Sequence, residues 1–74
     1  MIYISGANYY MCSYYMRLLG LSPNEWKYVR EVIQLQGARE QLFIQLPGMW
    51  EQSNYDELIY NIKSRKFKHV IIDF

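Results

Sequence analysis

The chain has one cysteine and one histidine among its 74 residues, and this scarcity excludes several classes of protein. A single thiol cannot close a disulfide within the chain. Cys12 and His69 also offer no CxxC or HxxxH spacing for zinc, so we expect no metal and no cofactor. An unpaired thiol without a signal-peptide pattern is typical of a reducing, cytoplasmic setting.

Long hydrophobic runs and excess charge of one sign are also missing. The strictly apolar stretches are a few residues long, whereas a membrane helix needs about 20, so we expect no membrane span. Eight Lys and Arg residues oppose seven Asp and Glu residues, which leaves no strong field to attract nucleic acid. We therefore do not expect a nucleic-acid partner. The basic residues outside the cluster at 63–69 are few and scattered: Arg17, Lys27, Arg30 and Arg39.

The short chain predicts a single domain, residues 1–74, that has difficulty stabilising itself. A domain of this size buries only about 60% of the surface of its unfolded chain. Small scaffolds usually add disulfides, a metal or a partner chain. Because the first two are excluded, we expect a protein partner or a homo-oligomer.

Hydrophobic periodicity predicts alternating strands and helices. A β-rich run over 2–5 is followed by apolar residues at helical spacing over 7–19, with Gly20 as the C-terminal stop. Ser22-Pro23-Asn24-Glu25 is a capping-box pattern, which predicts a short helix from residue 23 to about 28. Residues 28–37 fit either a strand or a short helix.

The second half of the chain repeats the pattern more clearly. It predicts a strand over 42–46, a helix over 54–65 and a buried strand over 69–73. Helices that alternate with apolar strands favour a parallel sheet covered on both faces. The predicted class is α/β: a small three-layer, Rossmann-like half-domain with a three- to four-stranded, mostly parallel sheet.

Ligands of open parallel sheets bind at the carboxyl ends of the strands. The residues predicted at this edge form a candidate site for a nucleotide or another small anion, where any chemistry would be hydrolysis or transfer at a nucleoside phosphate. The segment SGAN contains neither a GxGxxG nor a GxxxxGK[ST] motif, so a tight turn at a helix cap is the competing interpretation. The candidate nucleotide-binding residues are Ser5, Gly6, Asn8, Trp50 and Asp73.

The segment YYMCSYYM, residues 9–16, carries more apolar and aromatic surface than one amphipathic helix needs. A helical wheel allows Met11, Tyr14 or Tyr15, Leu18 and Leu19 to face the sheet. The other side then has the composition enriched at protein interfaces, and residues 1–24 contain no acidic residue. The candidate interaction residues are Tyr9, Tyr10, Met16 and Arg17, together with Trp50 in a later loop.

Two resemblances accompany these patterns. The opening MIYISG is similar to that of the nucleoside 2-deoxyribosyltransferase-like proteins, in which a first strand ends in a Gly-containing turn that approaches a nucleotide. LGLSPNEWKYV followed by LPGMW resembles small phage-encoded α/β proteins of unassigned role, with P-loop-like topology but no P-loop. Neither resemblance assigns a catalytic residue to this chain.

No nucleophile and base occur together in one motif, so the sequence identifies no catalytic residue and favours a protein that is not an enzyme. The sequence favours a non-catalytic protein-interaction module, such as a small accessory, regulatory or inhibitor protein, and the second resemblance implies that it is phage-encoded. The alternative is an α/β domain that binds a nucleotide or a small anion.

Overall fold

The computed structural model describes residues 1–73, which form a four-stranded, all-parallel sheet with α-helices on both faces. The spatial order of the strands is β2-β1-β3-β4. The predicted α/β class and parallel sheet are therefore confirmed. The strands are β1 (Ile2–Ser5), β2 (Trp26–Tyr28), β3 (Leu42–Gln45) and β4 (Lys68–Ile71), and the helices are α1 (Tyr9–Leu18) and α2 (Tyr55–Ser64).

Three short 3-10 helices complete the chain: Pro23–Glu25, Val32–Leu35 and Met49–Glu51. The register places Ile2 beside both Trp26 and Leu42, and Leu42 beside Lys68. All four strands run in the same direction, so their carboxyl ends and the loops that follow them share one edge of the sheet.

One core lies between α1 and the sheet. Cys12 and Met16, one turn apart on α1, are fully buried against Ile4, and Trp26, Ile44 and Leu46 complete the cluster. The helix begins at Asn8, whose side-chain Oδ1 accepts a hydrogen bond of 2.8 Å from the Met11 backbone N–H. An Asn cap of this kind satisfies an amide that the helix itself leaves without a partner.

The second core lies on the opposite face, beneath α2. Leu58 and Ile62 of α2 pack on Phe43 of β3, and Phe67 stacks edge-on against Phe43 with ring centroids 6.4 Å apart. Val29, Leu35 and Met49 fill the rest of this cluster. The 3-10 helices at 32–35 and 49–51 therefore help α2 to cover this face.

The predicted helix over 23–28 is wrong in its second half. The capping box does form, because the Ser22 backbone N–H donates to Glu25 Oε2 at 2.6 Å. The helix ends at Glu25, since Trp26 pairs with Ile2 and begins the edge strand β2. Of the two alternatives for 28–37, the structure shows the short helix, and β4 spans 68–71 instead of 69–73.

The predicted orientation of α1 is wrong in part, although Met11 and Tyr15 pack against the core as expected. Tyr14, Leu18 and Leu19, expected against the sheet, are exposed, whereas Met16, expected on the outer face, is fully buried. The reason is the close approach of α1 to the turn after β1: a Cβ atom on Gly6 would lie 3.3 Å from Cys12 Sγ. Cys12 therefore lies on the side of α1 that faces the sheet, and Met16, one turn later, shares that side.

Candidate functional site

A cleft of about 410 Å³ opens at the carboxyl ends of β1 and β2. Its walls come from three loops: the start of α1, the segment after β2, and the segment between the 49–51 helix and α2. The cleft is where the fold rule for open parallel sheets places ligands. Its lining residues are Ala7, Asn8, Tyr9, Tyr28, Arg30, Glu31, Gln52, Ser53 and Asn54.

Gln52 joins two of these loops. Its side-chain Nε2 donates to Ser5 Oγ and to the Gly6 carbonyl oxygen, both at 3.0 Å. Ser5 is fully buried, so this bond satisfies a hydroxyl that water cannot reach. Gln52 thereby fixes the loop before α2 against the turn between β1 and α1.

Asn54 and Gln34 hold the third loop in place. Asn54 Nδ2 donates to the Arg30 carbonyl oxygen at 2.7 Å. Gln34 Oε1 accepts from the backbone N–H groups of Arg30, at 2.6 Å, and Glu31, at 2.9 Å. The backbone of the cleft is therefore organised by side-chain amides, a construction that favours preformed binding geometry.

Two tyrosines contribute the aromatic part of the cleft. The rings of Tyr9 and Tyr28 meet edge to face, with centroids 5.6 Å apart, and Tyr9 also lies 5.9 Å from the Trp26 ring. Burial raises the pKa of the Tyr28 hydroxyl, and Cys12 adds to this effect, while the positive charge of Arg30 lowers it. Arg30 and Tyr28 line the same cleft.

Of the five predicted nucleotide-binding residues, only Asn8 lines the cleft. Ser5 and Gly6 bond to Gln52 instead. Gly6 has a packing reason to be glycine, because a Cβ atom there would lie 3.0 Å from Leu46 Cβ. Its presence therefore needs no ligand as an explanation.

Trp50 and Asp73 do not line the cleft. Trp50 is 53% exposed on the 3-10 helix after β3, and Asp73 is exposed beyond β4. With strands spaced about 4.8 Å apart, β4 lies about 10 Å from β1, on the side away from β2. Asp73 therefore belongs to a different part of this edge, and the role of Trp50 as a contact residue stays a prediction.

Sequence reasoning missed most of the cleft: Tyr28, Arg30, Glu31, Gln52, Ser53 and Asn54. The signal that could have located half of it is the strand β2. A strand at 26–28 brings residues 28–31 to the same edge as residues 5–8. When residues 23–28 are interpreted as a helix, nothing in the sequence places Arg30 near Asn8.

A second polar group, separate from the cleft, lies on the α2 face. The side chain of Gln45 is buried and bonds through Nε2 to the Tyr55 hydroxyl at 3.1 Å. His69 Nε2 lies 2.8 Å from Gln45 Oε1. Burial, aided by the nearby charge of Lys63, lowers the pKa of His69.

The folded state therefore binds a proton at His69 less readily than the unfolded state does. The unfolded chain therefore takes up this proton at a higher pH than the folded protein does. We expect the full free energy of unfolding above the unfolded pKa of His69, about 6.5, and a decrease as the pH falls through that value toward the lower pKa of the folded state. Urea unfolding between pH 7.5 and 5 measures this loss. The chain contains no other histidine, so His69→Gln should remove the slope; an unchanged slope in the variant would assign it elsewhere.

The remaining chemical candidates are weak. Burial raises the pKa of the Cys12 thiol to about 12, so this cysteine stays protonated and unreactive at neutral pH. Within residues 1–73, no three His, Cys, Asp or Glu side chains are grouped so that they could hold a metal ion. Among the same residues, no helix has the length and apolar character needed to cross a membrane.

The outer surface of α1 carries large apolar side chains. Tyr10, Tyr14 and Leu18 follow one another at a spacing of four residues and are 82%, 62% and 67% exposed. We call these three residues the outer stripe. Arg17 lies beside it, Leu19 extends it, and the first turn of the helix contains no acidic residue. A surface helix normally shows charged or polar residues at such positions.

Comparison with known proteins identifies no relative of this chain. No protein-family model matches the chain, and neither curated proteins nor solved structures include a match. The cleft and the outer stripe are therefore the features of the molecule that indicate a function.

Proposed function

We propose that the protein is a non-catalytic interaction module that docks on a second copy of itself through the outer stripe of α1. The observation that carries this proposal is the regular exposure of Tyr10, Tyr14 and Leu18. The role fits the small accessory, regulatory or inhibitor type of protein that the sequence suggested. The interaction residues are redefined accordingly: Tyr10 and Arg17 remain, Tyr14 and Leu18 are added, and the buried Met16 is removed. Tyr9 and Trp50 lie outside the outer stripe.

The stripe is complementary to itself. A two-fold axis through Tyr14 would pair the helices antiparallel and place Tyr10 of one copy against Leu18 of the other. Arg17 would then lie beside Tyr10 of the other copy, where a guanidinium group interacts favourably with an aromatic ring. With no acidic residue in residues 1–24, the paired helices bring no carboxylates into the contact.

The expected association is modest. Burying the three side chains of each copy, at roughly 100–150 Å² each, removes on the order of 600–900 Å² in total. This area lies below that of a stable interface, and association itself costs several kcal/mol. The exposed Leu19 enlarges the contact. We therefore expect a dimer with a dissociation constant in the micromolar range.

Sedimentation equilibrium across a dilution series tests this proposal. We expect the wild type to pass from dimer to monomer within the micromolar range, and the double variant Tyr10→Glu/Tyr14→Glu to stay monomeric. The reason is that each copy would bring two carboxylates and only one Arg17 into an apolar contact, and the carboxylates at position 14 would face each other across the two-fold axis.

The matched control is Tyr60→Glu. Tyr60 is 71% exposed on α2, so its substitution adds the same charge on the other side of the sheet and should leave the dimer intact. A wild type that remains monomeric at millimolar concentration would contradict the proposal. Equal weakening by the control and by the double variant would remove the outer stripe from it.

A second candidate function is the binding of a small anion or nucleotide at the cleft. The observation that favours it is the position of a preformed polar cleft at the carboxyl edge of a parallel sheet. The cleft and the outer stripe occupy different parts of α1, so one molecule can perform both functions.

A further inference from the structure

The cleft keeps several polar groups available after its internal bonds are made. Gln52 and Asn54 use their side-chain N–H groups to hold the loops, and within residues 1–73 their carbonyl oxygens accept no hydrogen bond. Asn8 uses its oxygen for the helix cap, which leaves its Nδ2 as a donor. The cleft therefore offers both acceptors and donors in positions fixed by the fold.

Two charged side chains line the cleft, Arg30 and Glu31, and the Glu31 carboxylate accepts a backbone N–H of the 32–35 helix. Within the described residues, the Arg30 guanidinium makes no hydrogen bond or ion pair, although its backbone is bonded on both sides. Arginine is well suited to a phosphate group, because its planar donors match the phosphate oxygens. The start of α1, which has no carboxylate in its first turn, borders the same space.

Size limits what can enter. A cleft of about 410 Å³ is at the lower end of the range for small-molecule sites, roughly 300–1,000 Å³. The chain also contains no glycine-rich loop of the type that surrounds a chain of phosphates. A dinucleotide or a nucleoside triphosphate fits neither observation.

We propose that the cleft binds a nucleoside monophosphate, with the base beside Tyr9 and Tyr28 and the phosphate on Arg30. A planar base has π faces for the tyrosine rings, and donor and acceptor edges for Gln52, Asn54 and Asn8. This proposal depends on the second candidate function and specifies its ligand.

Two-dimensional NMR of the full chain tests the proposal. The probes are AMP, GMP, CMP and UMP, the corresponding nucleosides, and inorganic phosphate, each titrated to millimolar concentration. We expect at least one monophosphate to shift the amide signals of residues 7–9, 28–31 and 52–54, and its base protons to show NOEs to the rings of Tyr9 and Tyr28.

The variant Arg30→Gln separates the two parts of the ligand. We expect it to weaken the monophosphate by about tenfold or more while leaving the nucleoside unaffected, because a hydrogen bond to a charged group is lost only for the phosphate. Arg39→Gln is the matched control, since Arg39 is exposed and does not line the cleft. The substituted side chain is exposed in both variants, so both should fold.

The experiment distinguishes a wrong ligand class from a cleft that binds no small anion at all. If phosphate alone binds as well as the monophosphates do, the ligand class is wrong and small-anion binding survives. If no probe shifts the cleft signals, the ligand class and the second candidate function both fail. Equal loss in Arg30→Gln and Arg39→Gln would contradict the assignment of the phosphate to Arg30.

Discussion

Gly48→Ala is expected to destabilise the protein by about 3 kcal/mol. Gly48 has φ = 95°, a left-handed conformation that costs a residue with a side chain roughly 1–2 kcal/mol. A Cβ atom there would also lie 2.6 Å from Ala7 Cβ and 2.9 Å from Ala7 Cα, and such overpacking costs about 1–3 kcal/mol. Native proteins have a free energy of unfolding of roughly 0.05–0.15 kcal/mol per residue, so this loss is a large part of the total for a domain this small.

Gly37→Ala provides the comparison. Gly37 has a similar φ of 81°, but nothing lies within 4 Å of its Cβ position. We therefore expect only the conformational cost, about 1 kcal/mol. Urea unfolding of the two variants measures the difference, which is the contribution of the contact with Ala7. Equal losses would show that the loop after β3 does not press on the turn before α1.

Met16→Glu is expected to prevent folding, although many of the other side chains of α1 are exposed. Met16 is fully buried between Cys12, Trp26 and the sheet. An unpaired carboxylate in such a position costs several kcal/mol, on the order of the whole stability of the domain. Circular dichroism should show an unfolded chain at neutral pH.

Two further variants isolate the cause. Met16→Leu keeps the apolar volume and should cost less than about 1.5 kcal/mol. Tyr14→Glu introduces the same charge two residues earlier, on the exposed side, and should change the stability of the monomer by no more than about 0.5 kcal/mol. A folded Met16→Glu protein with nearly normal stability would place Met16 at the surface and contradict the orientation of α1.

The sequence predicted the elements with strong periodicity and missed those set by distant contacts. β1, β3, β4 and both α-helices follow from apolar runs and stripes. Trp26–Tyr28 is too short to show alternation, and the capping box before it is a helix signal. Its strand conformation comes from pairing with Ile2, which is distant in the sequence.

The face of α1 was ambiguous for a related reason. Tyrosine, methionine and leucine occupy seven of its ten positions, so hydrophobicity alone does not select a side. A usable signal existed in Cys12 and Met16, because cysteine and methionine are fully buried more often than tyrosine is. The cleft could be predicted only as far as Asn8, since its other walls depend on recognising β2 and on the bonds of Gln52 and Asn54.

The most direct measurement of the central claim is an isotope-filtered NOE experiment on a mixture of labelled and unlabelled protein. It detects only contacts between copies, and therefore identifies the face through which they associate. We predict NOEs between the Tyr10 ring of one copy and the Leu18 methyl groups of the other, with Tyr14 in contact with its own counterpart. Intermolecular NOEs confined to another surface, such as the open edge of β4, or none at millimolar concentration, would contradict the proposed docking through α1.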